Sequence, residues 1–360
     1  MRESSKKFAL CGGLLLLITV SAYVPAINGG FIWDDDAYVT ENETLRSLDG
    51  LYRIWFEIGA VPHYYPIIHT TFWVEYHLSG LDLLGYHLVN VILHWLNAIV
   101  LWIVLTRLSV PGAWLVAAVF SLHPVHVESV AWITERKNVL SGFFYLAALL
   151  SYIRYLGLGS ENVDSHFSSS PDIAESKTCG GLRQYYVLAL LFYLCALLSK
   201  TVTCTLPALG FFDVYPMRCS FVADHFQYLA SLGLITLFVA MMSKLSERYL
   251  PRLPKYAAVV VLVVLLGTLV WKQGYIYKDL ETLWRDTIAK NPSSWMAYNN
   301  LGMELGIQGR FDEAIPAFHS ALRLKSDNYK AHFNLGKTLS QMGKLSEAVS
   351  HYSEATQNKG

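Results

Sequence analysis

The chain has 360 residues, of which 53% are hydrophobic and only 16% charged, and its mean hydropathy is +0.33. Soluble domains carry about 25% charged residues, so the composition argues against a wholly soluble enzyme and for a membrane protein with a polar appendage. Basic and acidic residues balance at 28 each, which gives no sign of a nucleic-acid partner, and the five cysteines show no metal-ligand spacing.

The first apolar run, 8–27, is long enough to cross a bilayer. It lacks a clear small-residue cleavage site, so a retained first span is preferred over a signal peptide. Beyond it stand Asp34, Asp35 and Asp36 in Gly29-Gly30-Phe31-Ile32-Trp33-Asp34-Asp35-Asp36. Three adjacent carboxylates repel one another. Either they decorate a solvated turn, or they handle a proton or a cation. The loop 28–85 that holds them has nine acidic residues against Arg46 and Arg53.

Further spans are expected at 86–106, 110–122, 138–156, 184–199, 225–243 and 256–272, giving seven. Residues 201–213 contain Pro207 and Gly210 and are too short to cross. With seven crossings, Arg2, Lys6, Lys7, Arg107, Lys177, Arg183, Lys244, Arg248, Arg252 and Lys255 all fall on the cytoplasmic side. The aspartates and everything after about Lys272 then share the extracytoplasmic side. The cytoplasmic loop 157–183, with Ser168-Ser169-Ser170-Pro171 and Gly180-Gly181, reads as a linker without a site.

After the third span come His123, His126, Glu128, Glu135, Arg136, Lys137 and Asn138. Ionisable groups beside membrane segments are candidates for function. Arg136 and Lys137 could hold a lipid phosphate or simply snorkel at a helix end, and Lys200 presents the same choice. His123, His126 and Glu128 could ligate a metal, but bonds to backbone and to one another explain them more simply. No metal is called for, although an aspartate cluster does not exclude a divalent cation.

At the C-terminus Asn300-Leu301-Gly302 recurs as Asn334-Leu335-Gly336, an offset of 34 residues. Gly309, Ala314, Phe318 and Ala321 recur as Gly343, Ala348, Tyr352 and Ala355. This is the tetratricopeptide period. Residues 277–294 align with 311–328 as an additional second helix, so 273–360 holds about two and a half repeats. Their concave surface suits an extended acceptor peptide or partner, or the array merely caps the membrane domain.

Four segments occur in order: Gly29-Gly30-Phe31-Ile32-Trp33-Asp34-Asp35-Asp36, Tyr65-Pro66-Ile67, Gly85-Tyr86-His87-Leu88-Val89-Asn90, and His123-Pro124-Val125-His126-Val127-Glu128-Ser129-Val130. Together with the repeats, the set resembles the transmembrane and tetratricopeptide-repeat O-mannosyltransferase family across nearly the whole chain. The resemblance implies an all-α membrane domain over 1–272 of the multispanning C-type glycosyltransferase kind. It implies a polyprenyl- or dolichyl-phosphate sugar as donor and inverting transfer to a protein hydroxyl on the extracytoplasmic face. It maps an acidic pair beside the acceptor onto Asp34 and Asp35, with Asp36 as an extra. Arg136, with Lys137 and Lys200, would face the donor phosphate, and Glu128, Asp224 and His225 would line the same face. The family's additional spans between Lys200 and Phe212 are joined here across 201–213, like an internal deletion. The vocabulary fits a bacterial inner membrane with periplasmic repeats; the alternative is an endoplasmic-reticulum membrane with lumenal repeats. A non-catalytic scaffold whose repeats recruit a partner is the rival function.

Overall fold

A computed structural model of the protein describes residues 2–157, 171–200, 227–249 and 251–358. Among the described residues every regular element is helical, and the chain divides into two compact units that meet in sequence between Gly274 and Tyr275.

The first unit begins with α1 (Arg2–Ile27), followed by α2 (Leu48–Phe56), α3 (Pro66–Ser79), α4 (Leu83–Arg107), α5 (Ala113–Ser121), α6 (Val127–Ala131) and α7 (Arg136–Tyr155). It continues with α8 (Pro171–Ser199), α9 (Gln227–Tyr249) and α10 (Arg252–Gly274). The linker expected over 157–183 therefore gives way to helix from Pro171 onward. Local signals account for several boundaries. Asp82 caps α4 by accepting from the Leu84 amide, and Ser47 caps α2 by accepting from the Gly50 amide. Pro66 occupies the first turn of α3, where its missing N–H costs nothing.

Four segments are long and apolar enough to cross a membrane: Ser5–Ile27, Leu83–Arg107, Tyr228–Tyr249 and Pro254–Tyr277. A fifth crossing is available if Ala113–Ser121 and Pro124–Ala131, bent by 53° at a short break, count as one. The expectation of seven is thus reduced to four or five among the described residues. Two physical reasons explain the difference. α7 opens on Arg136, Lys137 and Asn138, so its polar first turn belongs to the protein interior, and the apolar helix Arg183–Ser199 is short. The stretch 201–213 lies outside the described residues.

α4 is the hub of this unit, packing on α1, α5 and α7. Its inward side carries Asn90, His94 and Asn97, all completely buried. His94 Nδ1 lies 2.8 Å from the Tyr228 hydroxyl, which also accepts from Asn97 at 2.9 Å, while the Asn97 amide reaches the Val139 carbonyl at 2.8 Å. His126 donates through Nδ1 to the Phe120 carbonyl at 2.8 Å and meets the Ser231 hydroxyl at 2.9 Å. These bonds fasten α9 to α4 and to the α5–α6 turn, satisfying polar groups that would be costly unpaired in an apolar interior.

The second unit consists of α11 (Leu280–Lys290), then the pairs α12 (Trp295–Ile307) with α13 (Phe311–Leu324) and α14 (Tyr329–Gln341) with α15 (Leu345–Gln357). Each pair turns at a glycine with positive φ, 76° at Gly309 and 79° at Gly343, where a side chain would be strained. Phe318 and Tyr352 lie against Gly302 and Gly336, where an added Cβ would come within 2.8 Å and 3.1 Å of the two rings. The spacing that betrayed the repeat is therefore a packing rule: a glycine in one helix admits an aromatic ring from its partner.

Candidate functional site

The three aspartates do not share an environment. Asp36 is exposed, with its carboxylate accepting from the Ala37 amide at 2.7 Å, so it answers the description of a solvated turn residue. Asp35 is completely buried. Its two oxygens accept the Ile32 and Thr134 amides, each at 2.9 Å, so it clamps its own turn to the segment entering α7. Burial pushes its carboxyl up to about 7, against the pull of both amides. Asp34 is half-buried between them and accepts from the Thr134 hydroxyl at 2.8 Å. Its carboxyl is raised above the ordinary carboxylate range, chiefly by desolvation and in opposition to nearby Lys137.

The turn presenting Asp34 is strained. Trp33 has φ 51°, a left-handed conformation that costs a non-glycine residue roughly 1–2 kcal/mol. Asp35's two bonds and the contact between the Trp33 and Trp132 rings, 5.7 Å apart, hold it there.

Lys137 bonds to Glu135 at 2.7 Å and lies 5.6 Å from the centre of the Tyr38 ring. Glu135 bonds in turn to Asn138, and Asn138 to Lys200 and to Ser129. Asp34, Lys137 and Lys200 thus belong to one polar cluster, joined by Thr134, Glu135 and Asn138. Of these linkers, Glu135 and Asn138 belong to the polar stretch noted in the sequence, whereas Thr134 was not singled out there. The signal was present in the unbroken polar run Thr134–Asn138 between two apolar segments.

Arg136 points elsewhere. Its guanidinium is completely buried and donates to Glu75 at 2.7 Å, Asn90 at 2.8 Å, the Tyr86 carbonyl at 2.9 Å and Thr71 at 3.3 Å, with Phe72 stacked 4.5 Å away. It braces α3, α4 and α7 and presents no free edge to a phosphate, contrary to the expectation. Burial raises Glu75's carboxyl, and Arg136 opposes that rise. His126 is committed to Phe120 and Ser231, His123 caps a short turn through the Val125 amide, and Glu128 is half-buried. Among the described residues no group of three or more His, Cys, Asp or Glu side chains is arranged to hold a metal. Asp224 and His225 lie outside the described residues.

At the outer edge of the cluster, the Tyr38 hydroxyl and His63 Nδ1 share a 2.6 Å hydrogen bond, and Tyr38 stacks on His69. The arrangement offers a half-buried carboxylate, a hydroxyl bonded to it, a nearby ammonium and an aromatic wall. Such a set can take a proton from an approaching hydroxyl and stabilise negative charge departing nearby.

Comparison with characterised sequences gives consistent matches. Residues 307–359 match the tetratricopeptide repeat family model. The chain is 31% identical over 157 residues to protein O-mannosyl-transferase F38B6.6 of Caenorhabditis elegans, covering 39% of this chain and 23% of that protein. It is 33% identical over 148 residues to protein O-mannosyl-transferase Tmtc1 of Drosophila melanogaster, covering 37% and 17%. For protein O-mannosyl-transferase TMTC3 of Homo sapiens the figures are 30% over 154 residues, covering 40% and 17%. The chain thus spans less than a quarter of the length of these relatives. The alignments also cover much less of this chain than the nearly full-length likeness of its motifs implied.

Proposed function

Because the chain is a distant homologue of the TMTC protein O-mannosyl-transferases, we propose that it is an integral membrane glycosyltransferase. In this reading it moves a mannose-like sugar from a polyprenyl- or dolichyl-phosphate donor to a protein hydroxyl on the extracytoplasmic face. The observation that carries the proposal is Asp34: half-buried, raised in pKa, bonded to Thr134 and close to Lys137. A carboxylate so placed is a stronger base than one in water.

Asp34 takes the acceptor's O–H proton. The freed oxygen bonds to the anomeric carbon while the bond from that carbon to the phosphate oxygen breaks, leaving its electron pair on the lipid phosphate. Attack from the opposite side inverts the anomeric centre. Lys137 supplies the positive charge nearest the reacting groups, with Lys200 behind it through Asn138 and Glu135. Asp35 holds the turn and Arg136 holds the scaffold, so neither is assigned to the chemistry. The repeats present the acceptor polypeptide.

The test is transfer from a labelled lipid-phosphate mannose by the purified full chain in lipid. Asp34→Asn is expected to lose at least about a hundredfold in rate, whereas Asp36→Asn stays near the parent. Undiminished transfer by Asp34→Asn would remove the base assignment. A parent that transfers nothing while still capturing peptide through its repeats would favour the scaffold reading, which rests on the tetratricopeptide match alone.

A further inference from the structure

The last helix pair carries two histidines that the repeat does not require. His332 on α14 and His351 on α15 stand where Tyr298 and Ala317 occupy the preceding pair, 34 residues earlier. Their meeting is therefore no by-product of the packing rule that the two pairs share.

Asn328 caps α14 by accepting from the Ala331 amide at 3.4 Å, and His332, only 6% exposed, lies just inside that cap. Its Nε2 is 3.0 Å from the Ser326 carbonyl. A carbonyl oxygen only accepts, so Nε2 carries the hydrogen and Nδ1 of the neutral ring carries a lone pair. That lone pair faces His351 Nδ1 at 3.2 Å. On the far side, Tyr352 against Gly336 sets how closely α15 approaches α14, and His351 is the residue next to it.

An imidazole oriented by a carbonyl behind it is the arrangement that metal-binding histidines use. Two nitrogens held by one zinc ion, each about 2.0–2.1 Å away at the tetrahedral angle, stand about 3.3 Å apart. The pair already has that separation. The surroundings are anionic: a Glu354 oxygen lies 3.6 Å from His332 Nε2, and Glu354 and Glu347 both act on His351. Burial, with His332 and His319 beside it, nevertheless keeps the His351 pKa below its ordinary value, so the ring is neutral near pH 7.

We propose that His332 Nδ1 and His351 Nδ1 form a two-histidine site for a divalent transition metal of the zinc class, with water completing the coordination. Without the ion, a proton on His351 Nδ1 bridges the two nitrogens. With it, that proton passes through solvent to His351 Nε2, and both Nδ1 lone pairs bind the metal. Magnesium and calcium take oxygen ligands and are not selected by two imidazoles. The ion ties α14 to α15, so the last repeat is stabilised when the metal is supplied.

The experiment follows amide hydrogen exchange of the full chain in phosphatidylcholine nanodiscs as zinc chloride is raised to about 1 mM. Exchange across 329–357 is expected to slow at least about tenfold at saturation, and a chelator should reverse it. His351→Gln should exchange at the zinc-free rate of the parent whether or not zinc is added. Unchanged exchange of the parent in zinc would mean that the pair only shares a proton, and would overturn the site whatever the variant does. Equal slowing in His351→Gln, or equal slowing of the parent by magnesium chloride, would overturn it as well.

Discussion

The two units bury polarity and shape in different ways. In the membrane unit each decisive contact exists once. Arg136 has Glu75, Asp35 has the Ile32 and Thr134 amides, and Tyr228 has His94 and Asn97, with partners up to 134 residues apart. In the repeat unit the decisive contacts exist twice at a fixed interval, as with Phe318 on Gly302 and Tyr352 on Gly336. Single-copy contacts can be specialised into a site but have no reserve. Repeated contacts build a surface in which one defect is shared with neighbours. Substitutions should therefore separate the units by the size and kind of their effects.

The largest expected effect falls on activity. Asp34→Asn removes the proposed base and should cost at least about a hundredfold in transfer, with thermal unfolding of the membrane unit nearly unchanged. The rate of the parent should also fall as the pH drops toward the raised pKa of Asp34, because only the ionised carboxylate can accept the proton. A parent rate that stays flat down to the ordinary carboxylate range would count against that assignment.

The second effect falls on stability. Arg136→Met leaves Glu75 buried without its cation and should cost about 3–5 kcal/mol, measured by thermal unfolding in lipid nanodiscs. Adding Glu75→Met should recover much of that loss, since an apolar pair replaces a stranded charge. If the single and double variants are equally destabilised, the pair is not the brace that its geometry describes.

These two residues also show how far the sequence could be read. The 34-residue repeat was legible because its rule is local: glycine, alanine and aromatic positions recur along the chain and need no distant partner. The aspartate run stood out as a candidate site because like charges gathered beside a membrane span demand a reason. Arg136 was misread because the partner that occupies it, Glu75, stands 61 residues away. Nothing local distinguishes a buried cation from one that snorkels. Thr134 was passed over because an ordinary polar residue gains its role only when the fold brings Asp34 to it. The count of spans among the described residues falls short of seven for a related reason, since the polar start of α7 is buried in the interior.

A smaller effect tests the repeat unit. Gly302→Ala would push a methyl to within 2.8 Å of the Phe318 ring, while the equivalent methyl at Gly336 would stop 3.1 Å from Tyr352. Overpacking of this kind costs about 1–3 kcal/mol. Gly302→Ala should lie at the upper end and Gly336→Ala at the lower. Unfolding of the full chain followed by hydrogen exchange in 295–324 and 329–357 reads the two separately. The order is overturned if Gly336→Ala proves the more damaging.

The last effect, a change of stability with pH, concerns Asp35, and its sign follows from its burial. The carboxyl sits near 7 in the folded protein against an ordinary value of 3.8, so the folded state holds a proton that the unfolded chain has released. Its contribution to stability is fully present below the unfolded value and is lost as the pH rises through the folded one. His69 works against this, because burial holds its ring down to about 4 and its contribution fades as the pH falls. The parent's own pH profile therefore mixes the two. The difference between the parent and Asp35→Asn isolates the aspartate: the parent's advantage should shrink steadily from pH 4 to pH 7, by unfolding temperature in nanodiscs. A constant difference across that window would mean that Asp35 is ionised throughout, held by the Ile32 and Thr134 amides strongly enough to offset its burial. The strained turn at Trp33 would then rest on a charged clamp, and Asp34 would face a permanent negative neighbour.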